Sequence, residues 1–198
     1  MLCTRELAGG PFPQYSHTVF LCSQCQIIYD ATMEGLYIGR FQPFHNGHLA
    51  LIKEMLKEVK TLHIVVGSAQ HIGTKENPFS ADERREMIRA ALTEAGIKNV
   101  DITPVPDIIW HSKYVEHIKT FVPHFDIVYV AENKHLEELF SAAGCKIKTH
   151  HRIDSIMGTE IRNRMAKKEP WEHLVPPAVA NYLKKIGGQE RVRKLLAE

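Results

Sequence analysis

The 198-residue sequence predicts an α/β protein built on a doubly wound, parallel, five-stranded sheet, with further helices at its C-terminal end. Three observations predict it. From Met33 onward, short apolar runs alternate with stretches whose apolar residues recur at helical spacing. The run 62–67 (LHIVVG) is continuously apolar, as suits a strand covered on both faces. Finally, Leu36-Tyr37-Ile38 feeds the decapeptide GRFQPFHNGH (39–48), which leads into Leu49, Ile52, Leu56 and Val59 at helical spacing. That is a strand–loop–helix junction, where an α/β fold binds phosphate.

The elements follow in order. Residues 36–39 form the first strand and 47–59 its helix; 62–67 form the second strand, followed by a polar loop, 68–79. Ser80 is placed to cap a helix running to Ala95, with Glu83 completing a capping box and Gly96 ending the helix. Residues 100–105 make the third strand, closed by Pro106-Asp107. Residues 114–121 are helical, 127–131 are the fourth strand, 136–143 are helical with Gly144 as cap, and 145–149 are a short fifth strand. The remaining segments, 158–165, 170–174, 177–186 and 189–196, read as helices. Such a sheet binds its ligand beyond the strand C-termini, where strand order reverses, and the first strand should border that point.

Residues 1–32 have a different texture: GGPFP, then a semi-apolar segment with Cys22 and Cys25. The chain therefore divides into an N-terminal extension, 1–32, and a folded domain, 33–198. The extension reads as disordered or foreign to the native protein, with Met33 as the native start. Cys3, Cys22, Cys25 and His17 could make a zinc site, but their irregular spacing matches no standard knuckle.

Composition bounds the function. With 44% hydrophobic and 24% charged residues, the chain is of ordinary globular type. No apolar run approaches the roughly 20 residues of a membrane helix, and the N-terminus lacks a signal-peptide core, so a cytoplasmic location is expected. Net charge is +2, yet residues 146–198 hold 12 Lys/Arg against 6 Asp/Glu. A polyphosphate site plus solvated helix faces explains that bias more economically than a nucleic-acid surface.

His45 and His48 share a helix face at the start of the first helix. Metal binding would need further ligands, and none stands nearby at helical spacing. Phosphate binding needs what is present: unsatisfied N–H groups at a helix start, imidazole donors, Gly47 for close approach and Arg40 as a fixed charge.

GRFQPFHNGH resembles the HxGH signature of the nucleotidyltransferase superfamily, in the form found in archaeal nicotinamide-mononucleotide (NMN) adenylyltransferases. The likeness continues through GSAQ (67–70), ENPF (76–79), DER (82–84), PxPDI ending at Ile108, HFDIVY (124–129), GTEIR (158–162) and WEHLVPPAV (171–179). It implies a Rossmann-like nucleotidyltransferase domain over 33–198. It also implies adenylyl transfer from ATP to NMN, giving NAD and pyrophosphate by in-line displacement. His48, His45, Arg162 and Arg40 would be the catalytic groups. Gly39, Arg40, Phe41, Phe44, His45, Gly47, His48, Asn133, Gly158, Thr159 and Arg162 would bind ATP. Ser68, Asn77, Phe79, Asp107 and an aromatic ring, Tyr114 by register or else Trp110, would bind NMN. Mg2+ would ride on the triphosphate rather than in a protein cage. A homo-oligomer, a hexamer by resemblance, is implied, with no nucleic-acid or membrane partner.

The chain departs from the family's pattern at three places. Met157 stands where a small hydroxyl residue is usual, Glu132 stands where glycine is usual, and Tyr114 replaces a tryptophan. Read by themselves, Arg84 is a structural ion pair with a neighbouring acid, Asn77-Pro78-Phe79 a turn, Arg162 a solvated helix cation and Trp171 a core anchor. Two alternatives stand beside the main reading: a nucleotidyltransferase with another phosphorylated acceptor (FMN, phosphopantetheine or a cytidylyl acceptor), and a zinc- or nucleic-acid-binding module.

Overall fold

A computed structural model describes residues 19–21, 28–30, 32–131, 133–150 and 156–197. Strands β1 (Val19–Leu21) and β2 (Ile28–Asp30) pair antiparallel in a ribbon separate from the main sheet. Cys3, His17, Cys22 and Cys25, the zinc candidates, lie outside the described residues, as does Glu132.

The main sheet starts at Glu34, one residue beyond Met33. In chain order it comprises β3 (Glu34–Gly39), α1 (Asn46–Met55), β4 (Thr61–Val66), α2 (Ala81–Glu94) and β5 (Val100–Pro104). It continues with α3 (Tyr114–Phe121), β6 (Ile127–Ala131), α4 (Lys134–Ala142) and β7 (Ile147–His150). All neighbours pair parallel in the order β5-β4-β3-β6-β7. Strand order reverses at β3, so the crevice between the ends of β3 and β6 is the topological switch point.

Side-chain alternation along β3 explains the layering. Leu36 faces a core with Val115 and Ile118 of α3 and Phe140 of α4. Tyr37 faces the opposite core, with Ile52 and Met55 of α1 and Met87 and Ile88 of α2. Three further helices, α5 (Gly158–Lys167), α6 (Pro177–Lys185) and α7 (Gly188–Ala197), extend that second layer through Ile161, Leu183 and Val192. Trp171 is buried there, as the sequence predicts.

Local signals account for the boundaries. At α2, Ser80 Oγ accepts from Glu83 N (3.1 Å) and the Glu83 carboxylate accepts from Ser80 N (2.9 Å), closing the expected capping box. Helix α4 starts two residues before the predicted position because Asn133 Oδ1 accepts from Leu136 N and caps it. Strand β7 starts two residues late. Gly144 adopts a left-handed φ of 72° and Cys145 N donates back to Phe140 O, so both belong to the cap of α4. The helix predicted over 170–174 shrinks to a 3-10 turn, Glu172–Leu174, which Pro170 and Pro176 leave no room to extend.

Candidate active site

A cleft of about 290 Å³ opens at the switch point. Its floor is the end of β3 and the motif loop (Gly39, Arg40, Phe41, Gln42, His45, Gly47, His48); its walls are Ala131 and Asn133 after β6 and Met157, Gly158, Thr159 and Arg162 at the start of α5. Every residue expected to bind ATP lines this cleft except Phe44, which is fully buried and stacks on the His48 ring, centroids 5.4 Å apart. Phe44 therefore supports the histidine from beneath.

His45 caps α1 with extended backbone (φ −140°) and is buried. Its N–H donates to His48 Nδ1 (3.2 Å), and the two rings stack with centroids 3.6 Å apart. With Nδ1 accepting, neutral His48 carries its proton on Nε2 and is a donor there. Phe41 meets the same ring edge-on at 4.9 Å, so His48 is packed on three sides by rings. Gly47 leaves room for the His45 ring: a Cβ there would lie 3.2 Å from it.

The second half of the cleft is the N-terminus of α5. Met157, its N-cap residue, makes no side-chain hydrogen bond to the first turn, so the helix-start N–H groups are not capped by it. Arg162 donates to Gln42 O (2.7 Å) and, through its other terminal nitrogen, to Thr159 Oγ1 (3.3 Å). Burial lowers the Arg162 pKa, and the like charge of Arg40 lowers it further, against the pull of Glu76. Among the described residues lining the cleft there are two guanidiniums and two imidazoles and no carboxylate. Such a pocket attracts a multiply charged anion.

None of the six residues expected to bind NMN lines this cleft. Ser68 and Asp107 meet beyond the ends of β4 and β5: Ser68 N donates to Asp107 Oδ1 (3.2 Å), and Asp107 N donates to Gln70 Oε1 (2.9 Å). Asn77 closes a turn on Thr74, donating from N to Thr74 O (3.1 Å) and Oγ1 (3.0 Å). The Phe79 side chain is fully buried in the core. Tyr114 packs edge-on against Phe140 (6.3 Å), and burial, with Asp107 adding, pushes its hydroxyl pKa up to about 12. Trp110 is 69% exposed. Of the two candidate rings, Trp110 is the more exposed, and Tyr114, the residue that register favours, is half-buried.

Two residues matter more than the sequence suggests. Arg84 is fully buried, but its partners are carbonyls rather than the expected acid. It donates to Arg40 O (3.0 Å), Gly67 O (2.7 Å), Ser68 O (3.1 Å) and Ser80 O (3.1 Å). It thus ties the ends of β3 and β4 to the start of α2. Gln42, also buried, joins the motif loop to Phe79. Neither role has a local sequence signal, because every partner but Ser80 is remote in the chain.

Among the described residues, no cluster of three or more His, Cys, Asp or Glu could hold a metal ion, and no helix is long and apolar enough to cross a membrane.

The chain is similar to several known proteins. Residues 36–173 match the cytidylyltransferase-like family. The chain is 41% identical over 164 residues to the nicotinamide-nucleotide adenylyltransferase of Thermococcus onnurineus (strain NA1), covering 81% of this chain and 87% of that one. It is 45% identical over 168 residues to the enzyme of the same name from Ignicoccus hospitalis, covering 82% and 98%. Among solved structures it resembles a bifunctional NMN adenylyltransferase/ADP ribose pyrophosphatase from Francisella tularensis complexed with AMP and a manganese ion. That match has a TM-score of 0.71 at 24% identity and covers 84% of this chain and 52% of the other. The chain thus spans about half of that two-activity protein, and the likeness is one of fold.

Proposed function

The chain belongs to the nicotinamide-nucleotide adenylyltransferases of the cytidylyltransferase-like family, and from that premise we propose how its cleft carries out the transfer. The enzyme joins ATP and NMN to give NAD and pyrophosphate. The observation that carries our assignment of the site is the charge of the cleft: two arginines and two histidines at the switch point, without a carboxylate among the described lining residues.

The nucleophile is a phosphate oxygen of NMN. A phosphate monoester is largely ionised at neutral pH, its second pKa lying near about 6, so no protein base has to remove a proton. The protein's task is to hold this oxygen in line with the α-phosphorus of ATP and to neutralise charge as it moves to the leaving pyrophosphate. His48, a donor at Nε2 and locked between rings, serves the phosphate nearest the reacting centre. His45 and Arg40 hold phosphate oxygens from the β3 side. Arg162 and Thr159, with the N–H groups at the start of α5, take the β- and γ-phosphates that depart. Asn133 borders the same cleft after β6. Met157 offers no hydroxyl, so Thr159 and backbone N–H groups supply the donors on that side.

Nucleotidyl transfer of this kind uses a divalent metal. We assign Mg2+, entering with ATP as part of the substrate, because the lining presents cations and imidazoles rather than a carboxylate cage. On the acceptor side, the reading places NMN beyond β4 and β5. There Ser68, Asn77 and Asp107 supply polar contacts and Trp110 an aromatic face for the cationic pyridinium. Phe79, whose ring is buried and whose backbone N–H and C=O are bonded to Gln42, stands behind this loop. A cytoplasmic homo-oligomer, a hexamer by sequence likeness, completes the reading.

The test is direct. Purified protein is incubated with ATP, Mg2+ and a panel of phosphorylated acceptors: NMN, FMN, phosphopantetheine and a cytidylyl acceptor with CTP. NAD formation from NMN is expected; its absence, with turnover of another acceptor, would overturn the assignment.

A further inference from the structure

We propose that Gln42 is a positioning residue for the transfer: its side chain pins the motif loop to the backbone of Phe79, and its own carbonyl then aims Arg162 at the leaving phosphates. The inference rests on the reading of Arg162 as a phosphate clamp.

Gln42 is 5% exposed, and both ends of its amide are used on one residue. Nε2 donates to Phe79 O (2.9 Å) and Oε1 accepts from Phe79 N (3.1 Å). The arrangement copies a strand pairing and admits one amide orientation, since a flipped amide would set donor against donor. Phe79 is a firm anchor. Its ring is fully buried, the Arg191 guanidinium lies 5.9 Å from the ring centroid, and Arg191 also donates to the preceding Pro78 O (3.3 Å).

On its other side Gln42 meets α5. Its carbonyl accepts from Arg162 Nη1 at 2.7 Å, the shortest bond Arg162 makes among those described. Gly158 packs against that same carbonyl so closely that a Cβ there would sit 2.8 Å from the oxygen. One residue therefore sets the spacing between the two halves of the cleft and fixes the plane of the clamping guanidinium. An apolar side chain of equal size would fill the space but leave the Phe79 N–H and C=O without these partners. A clamp oriented beforehand need not be ordered during the reaction, and that advantage appears in kcat.

A double-mutant cycle decides the matter, with kcat and both KM values measured on variants whose circular dichroism and melting show them folded. Gln42→Leu is expected to lower kcat on the order of 10- to 100-fold. Arg162→Lys is expected to lower it as well, and the double variant should match Arg162→Lys to within roughly twofold, because both act through one guanidinium. If the two losses multiply, or if Gln42→Leu turns over like the wild type, the proposal is overturned while the clamp stands. If Arg162→Lys is itself as fast as wild type, the clamp reading falls and this inference falls with it. Should Gln42→Leu not fold, Gln42→Glu serves. Its carboxyl accepts from Phe79 N at any pH but donates to Phe79 O only when protonated, so its kcat relative to wild type should rise as pH falls. A flat ratio overturns the proposal.

Discussion

His45 and His48 stack ring on ring at the start of α1, centroids 3.6 Å apart, while the backbone N–H of one donates to the Nδ1 of the other at 3.2 Å. The sequence offers HxxH as a pair of equivalent imidazoles. The structure makes them unequal: His48 has spent its Nδ1 inside the protein, and its chemistry toward a ligand passes through Nε2. His45, as the N-cap residue, holds that arrangement in place.

A prediction follows from which nitrogen is committed. A glutamine amide reaches about as far as Nε2, an asparagine amide only as far as Nδ1. His48→Ala and His48→Asn should each lose about 10²–10³ in kcat, the cost of one donor aimed at developing charge. His48→Gln should retain at least roughly tenfold more activity than His48→Asn. Steady-state kinetics on the three folded proteins checks this, and equal losses for Gln and Asn would show that Nε2 is not the working donor.

The acceptor side separates Trp110 from Tyr114. Trp110→Ala should raise KM for NMN severalfold to about 30-fold, the range of a lost cation–aromatic contact, with KM for ATP unchanged. Tyr114→Phe keeps the ring on Phe140 and should change neither KM. Its effect should appear in alkaline stability. The Tyr114 hydroxyl is raised by burial and by Asp107 from 10.0 to about 12, so the folded state holds a proton that the unfolded chain releases near pH 10. Tyr114 thus contributes stability that is intact below pH 10 and is lost as pH rises toward 12. Urea midpoints between pH 9 and 11 should fall less steeply in Tyr114→Phe; identical slopes would refute the buried hydroxyl.

What could be read from the sequence was local. Ser80 and Glu83 announce the start of α2 because a capping box is complete within four residues. The arginine- and histidine-lined cleft is legible for a similar reason: GRFQPFHNGH and GTEIR are each contiguous, and each sits at a helix start. Arg84 and the Gln42 side chain escaped because their partners are backbone groups 16 to 44 residues away, apart from the Ser80 carbonyl, and a backbone group has no residue type to recognise. Register singles out Tyr114 over Trp110, but counting along the chain gives register and not direction. Only the packing of α3 on α4 shows that its ring turns toward Phe140.

Arg84 carries a stability prediction. Burial pushes its guanidinium down to about 10, with Asp107 opposing and Arg40 adding to the fall, so it remains charged at neutral pH. Arg84→Met would leave the carbonyls of Arg40, Gly67 and Ser68 without this donor at the very ends of β3 and β4. A loss of about 3–5 kcal/mol in urea unfolding is expected. Arg84→Lys should recover part of it, since an ammonium keeps the charge but cannot span the guanidinium's fork. A loss under about 1 kcal/mol for Arg84→Met would mean those carbonyls readily find other donors.

The contact between α7 and α2 should be sensitive to acid in a defined direction. Glu83 lies between two partners: it closes the capping box on Ser80 N and accepts from Arg191. Burial raises its pKa, but the Arg191 guanidinium and the Ser80 N–H outweigh burial and hold the carboxyl below its ordinary 4.5. A depressed acid contributes stability that is present above pH 4.5 and disappears as pH falls through the folded-state value. Glu83→Gln keeps an acceptor for Ser80 N but loses the charge. It should cost about 0.5–1 kcal/mol at pH 7, where the cap bond survives and a partly exposed ion pair does not. Its disadvantage should shrink toward zero as pH is lowered below 4.5, because the wild-type carboxyl then becomes protonated too. Arg191→Met removes the same pair from the other side and also frees Pro78 O, so it should be the more destabilising of the two at pH 7. Urea unfolding of both variants at pH 7 and pH 3.5 measures each term. A deficit for Glu83→Gln that is the same at both pH values would show that the Glu83 charge contributes nothing to holding α7 on α2.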